Sequence, residues 1–552
     1  MTKKQIKIEK ERLLSSFGLN QEIKDTPDVE HSIKCFNGTF VPKVKENITC
    51  FRGIPFALPP IKELRWKKPE PVKESNKIFE TYYNGYSPIQ SVIASERASF
   101  YPQSEDCLYL NVWLNNDSKI KNKPIMVFIH GGSYGWGGTA DPLYDGYNFV
   151  SLHPDVVLIT IAYRTGIFGF IDFSALEGGD KYIDAPNLGL LDQIEALRWI
   201  KQNGAAFGGD INNVTIFGES AGGGSVSLLP LIKEARGLFH RVIAESGSLA
   251  LTYSKDECQI LTQKLKEMTR VSNMAELADL PIETLIEVNK TLNDLNNFPR
   301  RDGKLIPINP YEAYLKEDIR DIDMIHGTNA NEMFYWIGEL GGLFAYSYGM
   351  PIKFRYDIAK LKDQDLDAVL EYMRSKDDVT VNKISEFYNE IMFRLPAIKQ
   401  AEAHASQGGN TFMYYWMIES TIPYYKACHA VELAYVFNNP DETIYIGQPA
   451  DKKLAESIST MWVNFAKTGN PSLNDIKWEK YDANNRSTLV IKKDGFEMVN
   501  DPLKEQRIQL DPILPYLINP GYGNIDTSMS FLKTIDSFNK ALFNSMAIRM
   551  KK

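Results

Sequence analysis

Short apolar runs alternate along the chain with longer segments in which apolar residues recur at helical spacing. The runs at 126–129, 156–161, 214–217, 242–245, 322–326 and 411–416 read as strands. Strands that alternate with helices predict an α/β protein with a mostly parallel central sheet. Two stretches break this rhythm, about 252–309 and about 336–396, and both are largely helical. They are expected to be insertions above the C-terminal ends of the strands, capping the site where such sheets carry their chemistry. At the end of the chain Phe531, Leu532, Ile535, Phe538, Leu542 and Phe543 fall at helical spacing and predict a helix docked on the body. No apolar run approaches the roughly 18 residues of a membrane-spanning helix, so no membrane partner is expected.

One strand runs into a sharp signal. After Thr215-Ile216-Phe217 comes Gly218-Glu219-Ser220-Ala221-Gly222, a Gly-x-Ser-x-Gly pattern followed by a helix-like segment, which reads as a nucleophile elbow with Ser220 at its tip. The same pattern occurs at Gly131-Gly132-Ser133-Tyr134-Gly135, but there Trp136-Gly137-Gly138-Thr139-Ala140-Asp141-Pro142 describes a loop. Ser220 is therefore the expected nucleophile. The other turn suits an oxyanion hole, because glycines let backbone N–H groups approach a substrate closely. Gly132 and Ser133 are the expected donors, with Ala221 as the third, and His130 is expected to shape the loop.

A serine nucleophile needs a base, and seven histidines are available. In this class the chain order is serine, acid, histidine, which leaves His240, His326, His404 and His429. His240 follows Ser220 too closely for an acid loop to intervene. His326 ends a strand, and His404 is expected in a surface helix. His429 lies in a loop entering a helix after the strand at 411–416 and is the expected base. Glu332, in the loop after the strand through Ile325, is the expected acid, since a carboxylate there can orient the imidazole.

The chain resembles the type-B carboxylesterases of the α/β-hydrolase fold, the family that also holds cholinesterases and bacterial para-nitrobenzyl esterases. The landmarks run from about Asn37 to Trp478 and include Phe51-Arg52-Gly53-Ile54-Pro55, Ser104-Glu105-Asp106-Cys107-Leu108-Tyr109-Leu110-Asn111, Tyr163-Arg164-Thr165-Gly166, Asn187-Leu188-Gly189-Leu190-Leu191-Asp192-Gln193 and Phe207-Gly208-Gly209-Asp210. The resemblance puts the catalytic residues at Ser220, Glu332 and His429 and the oxyanion hole at Gly132, Ser133 and Ala221. The family more often has a third glycine where Ser133 stands. A serine supporting the base would correspond to Ser246. Where cholinesterases carry a choline-binding indole this chain has Arg97, so repulsion of cationic esters is expected, and the loop disulfide of secreted members finds no partner for Cys107. The implied activity is hydrolysis of small to medium carboxylic esters through an acyl-enzyme, without metal or organic cofactor. Amide, carbamate or lactone hydrolysis by the same residues stays open, as does an inactive adhesion or scaffold relative, although such proteins usually lose the nucleophile.

Five scattered cysteines, an odd number without CxxC pairs, argue for reduced thiols and against a metal site. The basic start at Lys3 and Lys4 has no apolar core behind it, and a cytoplasmic enzyme is expected. A formal charge of −8, from 62 basic and 70 acidic residues, argues against nucleic acid as a partner. The expected organisation is an N-terminal extension over 1–30 and a single catalytic domain over 31–552, acting on a small-molecule ester as a monomer or small homo-oligomer.

Overall fold

The computed structural model describes residues 3–17, 29–90, 97–116, 120–293, 297–335, 386 and 389–511. The apolar C-terminal pattern at 531–543 and most of the second insertion lie outside them. The described strands are β1 (Ile33–Cys35), β2 (Gly38–Val41), β3 (Lys43–Lys45), β4 (Ile48–Pro55), β5 (Ile78–Glu80), β6 (Tyr109–Asn115), β7 (Lys123–Ile129), β8 (Val157–Ile161), β9 (Gly209–Glu219), β10 (Arg241–Glu245), β11 (Asp323–Asn329), β12 (Thr411–Trp416), β13 (Ser487–Lys492) and β14 (Gly495–Asn500).

Eleven of these form one mixed sheet in the order β14-β13-β12-β11-β10-β9-β7-β8-β6-β4-β3, and β1, β2 and β5 form a small separate one. From β8 through β13 every neighbouring pair is parallel, whereas both margins are antiparallel. This is the α/β-hydrolase arrangement, a large sheet flanked by helices. Six of the seven strands of this parallel centre correspond to the apolar runs, because they are covered on both faces and read as nearly continuous apolar residues, whereas β13 was not among the expected strands. β8 and β12 are buried at every position.

Register places the site. Glu219 of β9 pairs with Glu245 of β10, Glu245 with Gly327 of β11, and Gly327 with Tyr414 of β12. Three neighbouring strands thus deliver Ser220, Ser246 and the Glu332 loop from one rung.

Several landmark residues are braces. Arg164, 3% exposed, clamps Asp192 with Nε at 2.8 Å and a terminal nitrogen at 2.6 Å, and donates to the Lys67 carbonyl. Removing one partner of so buried a pair costs about 3–5 kcal/mol, because the other is left charged and dry. Arg65 holds Glu105 in the same two-pronged way.

The first insertion is helical as expected, with helices Lys255–Thr269, Met274–Ala278 and Ile282–Asn293. It buttresses the site from behind: the Asn289 side chain accepts from Ile167 N, and Phe298 packs against Tyr134. The N-terminal extension, in which no element was expected, holds the helix Lys3–Ser15.

Candidate active site

The turn after β9 is strained in the way an elbow requires. Ser220 sits at φ 58°, ψ −121°, between the strand and the helix Ala221–Leu228. Such positive-φ backbone costs a non-glycine residue on the order of 1–3 kcal/mol and persists only where its surroundings enforce it. Two hydrogen bonds do so: Ser220 N donates to the Glu245 carbonyl at 2.9 Å, and Gly224 N to the Ser220 carbonyl at 2.8 Å. A Cβ on Gly222 would lie 1.9 Å from the Ile129 carbonyl oxygen, so only glycine fits where the elbow crosses β7.

The turn after β7 meets the elbow directly. A Cβ on Gly131 would come within 2.9 Å of both Ser220 Cβ and the Glu219 carbonyl. Gly132 (φ 106°), Ser133 (φ 52°) and Tyr134 (φ 58°) all have left-handed backbone, which explains why a third glycine suits the position of Ser133. Gly132, Ser133, Ser220 and His429 line one cleft, with Trp136 and Tyr335 among its walls. Ala221 follows Ser220 directly and is fully buried. His130 is buried against Tyr163, with ring centroids 4.3 Å apart, and burial lowers its pKa to about 4. It stays neutral and shapes the loop.

The expected acid and base are in contact. His429 Nδ1 lies 2.7 Å from Glu332 Oε2, and the other Glu332 oxygen accepts from Ser246 Oγ and from Asn329 N, each at 2.7 Å. Backbone bonds stitch the two loops together, from Asn331 N to the Ala427 carbonyl and from His429 N to the Glu332 carbonyl. With Nδ1–H directed at Glu332, Nε2 is the basic nitrogen of the ring. Phe393, at the end of the second insertion, packs 5.0 Å from the imidazole.

Sequence reasoning passed over two carboxyls here. Glu219 Oε1 is 3.1 Å from His429 Nε2, and burial together with the Glu332 charge raises its pKa well above the ordinary carboxylate range. Glu432, three residues after the base, is raised to about 8 by burial and by the charges of Glu219 and Glu332, although Asn329 donates to it. In both places burial favours the protonated carboxyl over the carboxylate. The signal for Glu219 was its place inside the serine motif.

Among the other histidines, His404 is structural. His404 was expected on a surface helix but is fully buried, with Nδ1 2.7 Å from Thr411 Oγ1, and burial lowers its pKa to about 4. The helix Leu395–Ser406 packs one face against β11 and β12, which the polar spelling around His404 conceals. Arg97 also departs from expectation. Its guanidinium is buried among Glu9, Asp141 and Glu442, so its charge is neutralised and does not repel a cationic ester. Among the described residues no three His, Cys, Asp or Glu side chains gather as metal ligands would.

A model of the carboxylesterase family matches residues 27–510. The chain belongs to the carboxylesterase family. It is 34% identical over 491 residues to the para-nitrobenzyl esterase of Bacillus subtilis (strain 168), covering 84% of this chain and 94% of that one. Carboxylesterase 1D of Rattus norvegicus is 33% identical over 490 residues, covering 79% and 84%. A carboxylesterase of Geobacillus stearothermophilus superposes with a TM-score of 0.76 at 29% identity, over 87% of this chain and 99% of that one. A thermophilic PNB esterase gives 0.74 at 30% identity with the same coverage. Membership makes this chain a serine carboxylic-ester hydrolase.

Proposed function

We propose that this carboxylesterase hydrolyses small to medium esters through Ser220, His429 and Glu332. The observation that carries the assignment is the 2.7 Å contact of His429 Nδ1 with Glu332, in a cleft that His429 shares with the strained Ser220. His429 Nε2 takes the Ser220 proton as Oγ attacks the carbonyl carbon, and Glu332 stabilises the imidazolium. The oxyanion accepts from the N–H groups of Gly132, Ser133 and Ala221, the last at the positive end of its helix. Collapse expels the alcohol, which receives its proton from His429. Water, deprotonated by the same nitrogen, then cleaves the acyl-enzyme. Ser246 fixes the carboxylate that fixes the base. Neither metal nor organic cofactor enters this cycle.

Residues 31–552 form one catalytic domain in this reading, working in the cytoplasm as a monomer or small homo-oligomer without nucleic acid. None of the five cysteines is in a disulfide, as a reducing compartment favours. No helix among the described residues is long and apolar enough to cross a membrane. The test is turnover of p-nitrophenyl esters of graded acyl length beside matched amides. Faster amide than ester turnover would overturn the ester assignment.

A further inference from the structure

Arg97 begins the short segment Arg97–Phe100, and the residues around it have two faces. Ala98 and Tyr101 line the cleft that holds Ser220 and His429. Behind them packs the N-terminal helix, which lies outside the residues matched by the family model. Leu13 and Phe17, 1% and 8% exposed, form a small apolar cluster with Tyr101 and Ala140, against which Ala98 and Phe100 also pack. Ion pairs surround this contact. Arg97 meets Glu9 of the helix at 2.6 Å, Asp141 at 2.9 Å and Glu442 at 2.5 Å, while Arg12 of the helix meets Glu442 at 2.7 Å. Tyr101 donates to Asp141, which itself lines the cleft.

The helix has 13 residues and is largely polar, too short to hold its shape alone, so its order depends on this docking. The dependence runs the other way as well. Without Leu13 and Phe17 the Tyr101 ring and Ala140 lose their apolar backing, and the wall over Ser220 is free to move outward.

We propose that the helix Lys3–Ser15 is a size-selecting buttress of the substrate cleft: by packing behind Arg97–Tyr101 it fixes the cleft's width and restricts it to smaller esters. This rests on the cleft being the ester site. Released, the wall admits bulkier acyl or alcohol groups, while Ser220, His429 and the two glycine turns, carried by other elements, keep their geometry.

The test uses full-length variants, p-nitrophenyl acetate and octanoate as probes, and tryptic cleavage at Lys10 and Arg12 as the measure of helix release. In Leu13→Asp cleavage should speed up by about tenfold or more. The octanoate-to-acetate ratio of kcat/KM should rise by roughly tenfold with acetate turnover within about threefold of the parent, since a few methylenes of pocket space are worth that much discrimination. Ile8→Ala, at a helix position 55% exposed, should move neither readout. Helix release with an unchanged ratio overturns the proposal, and so does Leu13→Asp without release. Leu13→Ala carries the same two readouts if the aspartate variant does not fold. If Ser220→Ala still turns over both esters, the assignment of the cleft falls instead.

Discussion

The turns at Gly131–Gly135 and Gly218–Gly222 share a spelling and a left-handed serine, yet they lead into different backbone structures. Ser220 enters the helix Ala221–Leu228, which presents a positive end and pins the serine carbonyl through Gly224 N. Ser133 enters a tight turn in which Gly135 N and Trp136 N both donate to the Gly132 carbonyl, curling the backbone without starting a helix. In the proposed mechanism the first arrangement offers a hydroxyl and the second offers N–H groups. A short motif acquires its chemistry from the element it opens.

The comparison can be broken most forcefully at the two serines. Ser220→Ala should lower kcat/KM on an aryl ester by about 10⁴-fold or more with the melting temperature little changed. If Ser133→Ala has that effect instead, the roles are reversed. Glu332→Gln should cost on the order of 10²–10⁴ in kcat, measured in the steady state, by disturbing the tautomer that keeps Nε2 basic. Gly131→Ala tests the seam between the turns. Its Cβ would sit 2.9 Å from Ser220 Cβ, so one turn must shift, and a displacement of that kind should cost about 10²-fold in kcat.

Buried acids lie close to both turns, and this should show in stability. Glu432 is raised to about 8 when folded, so its proton stabilises the fold fully below its unfolded value of about 4.5, and that stabilisation is lost as pH rises through about 8. Thermal melts of Glu432→Gln should lack the decline that the parent shows across this window. The smallest effect belongs to Ser133→Gly. Relief of left-handed strain, about 1 kcal/mol, roughly offsets the added freedom of glycine in the unfolded chain, so melting temperature and kcat should both stay close to the parent's.

The buried parallel centre was legible in the sequence because strands covered on both faces spell themselves in Val, Ile and Phe. The margins were not. β4 breaks its apolar run with Arg52, Gly53 and Pro55, and β14 is only half-buried, so neither shows a clean period. Chain order and resemblance pointed to Ser220, Glu332 and His429, and the structure gathers Ser220 and His429 in one cleft and holds Glu332 and His429 in contact. Glu219 and Glu432 went unread because buried acids look like surface ones until the neighbours that dry them are known. The N-terminal helix was hidden for a related reason: its partners Arg97, Asp141 and Glu442 lie far away in sequence.

The shared rung of β9, β10, β11 and β12 has a consequence for how this protein can diversify. Adjacent strands stand about 4.8 Å apart, a spacing fixed by peptide hydrogen bonding. The spacing of Ser220, Ser246 and the start of the Glu332 loop is therefore gauged by the backbone lattice, which no side-chain replacement alters. Loops that carry none of Ser220, Glu332 and His429 can lengthen, shorten or be exchanged while that spacing is kept, so new substrates can be explored without rebuilding the chemistry.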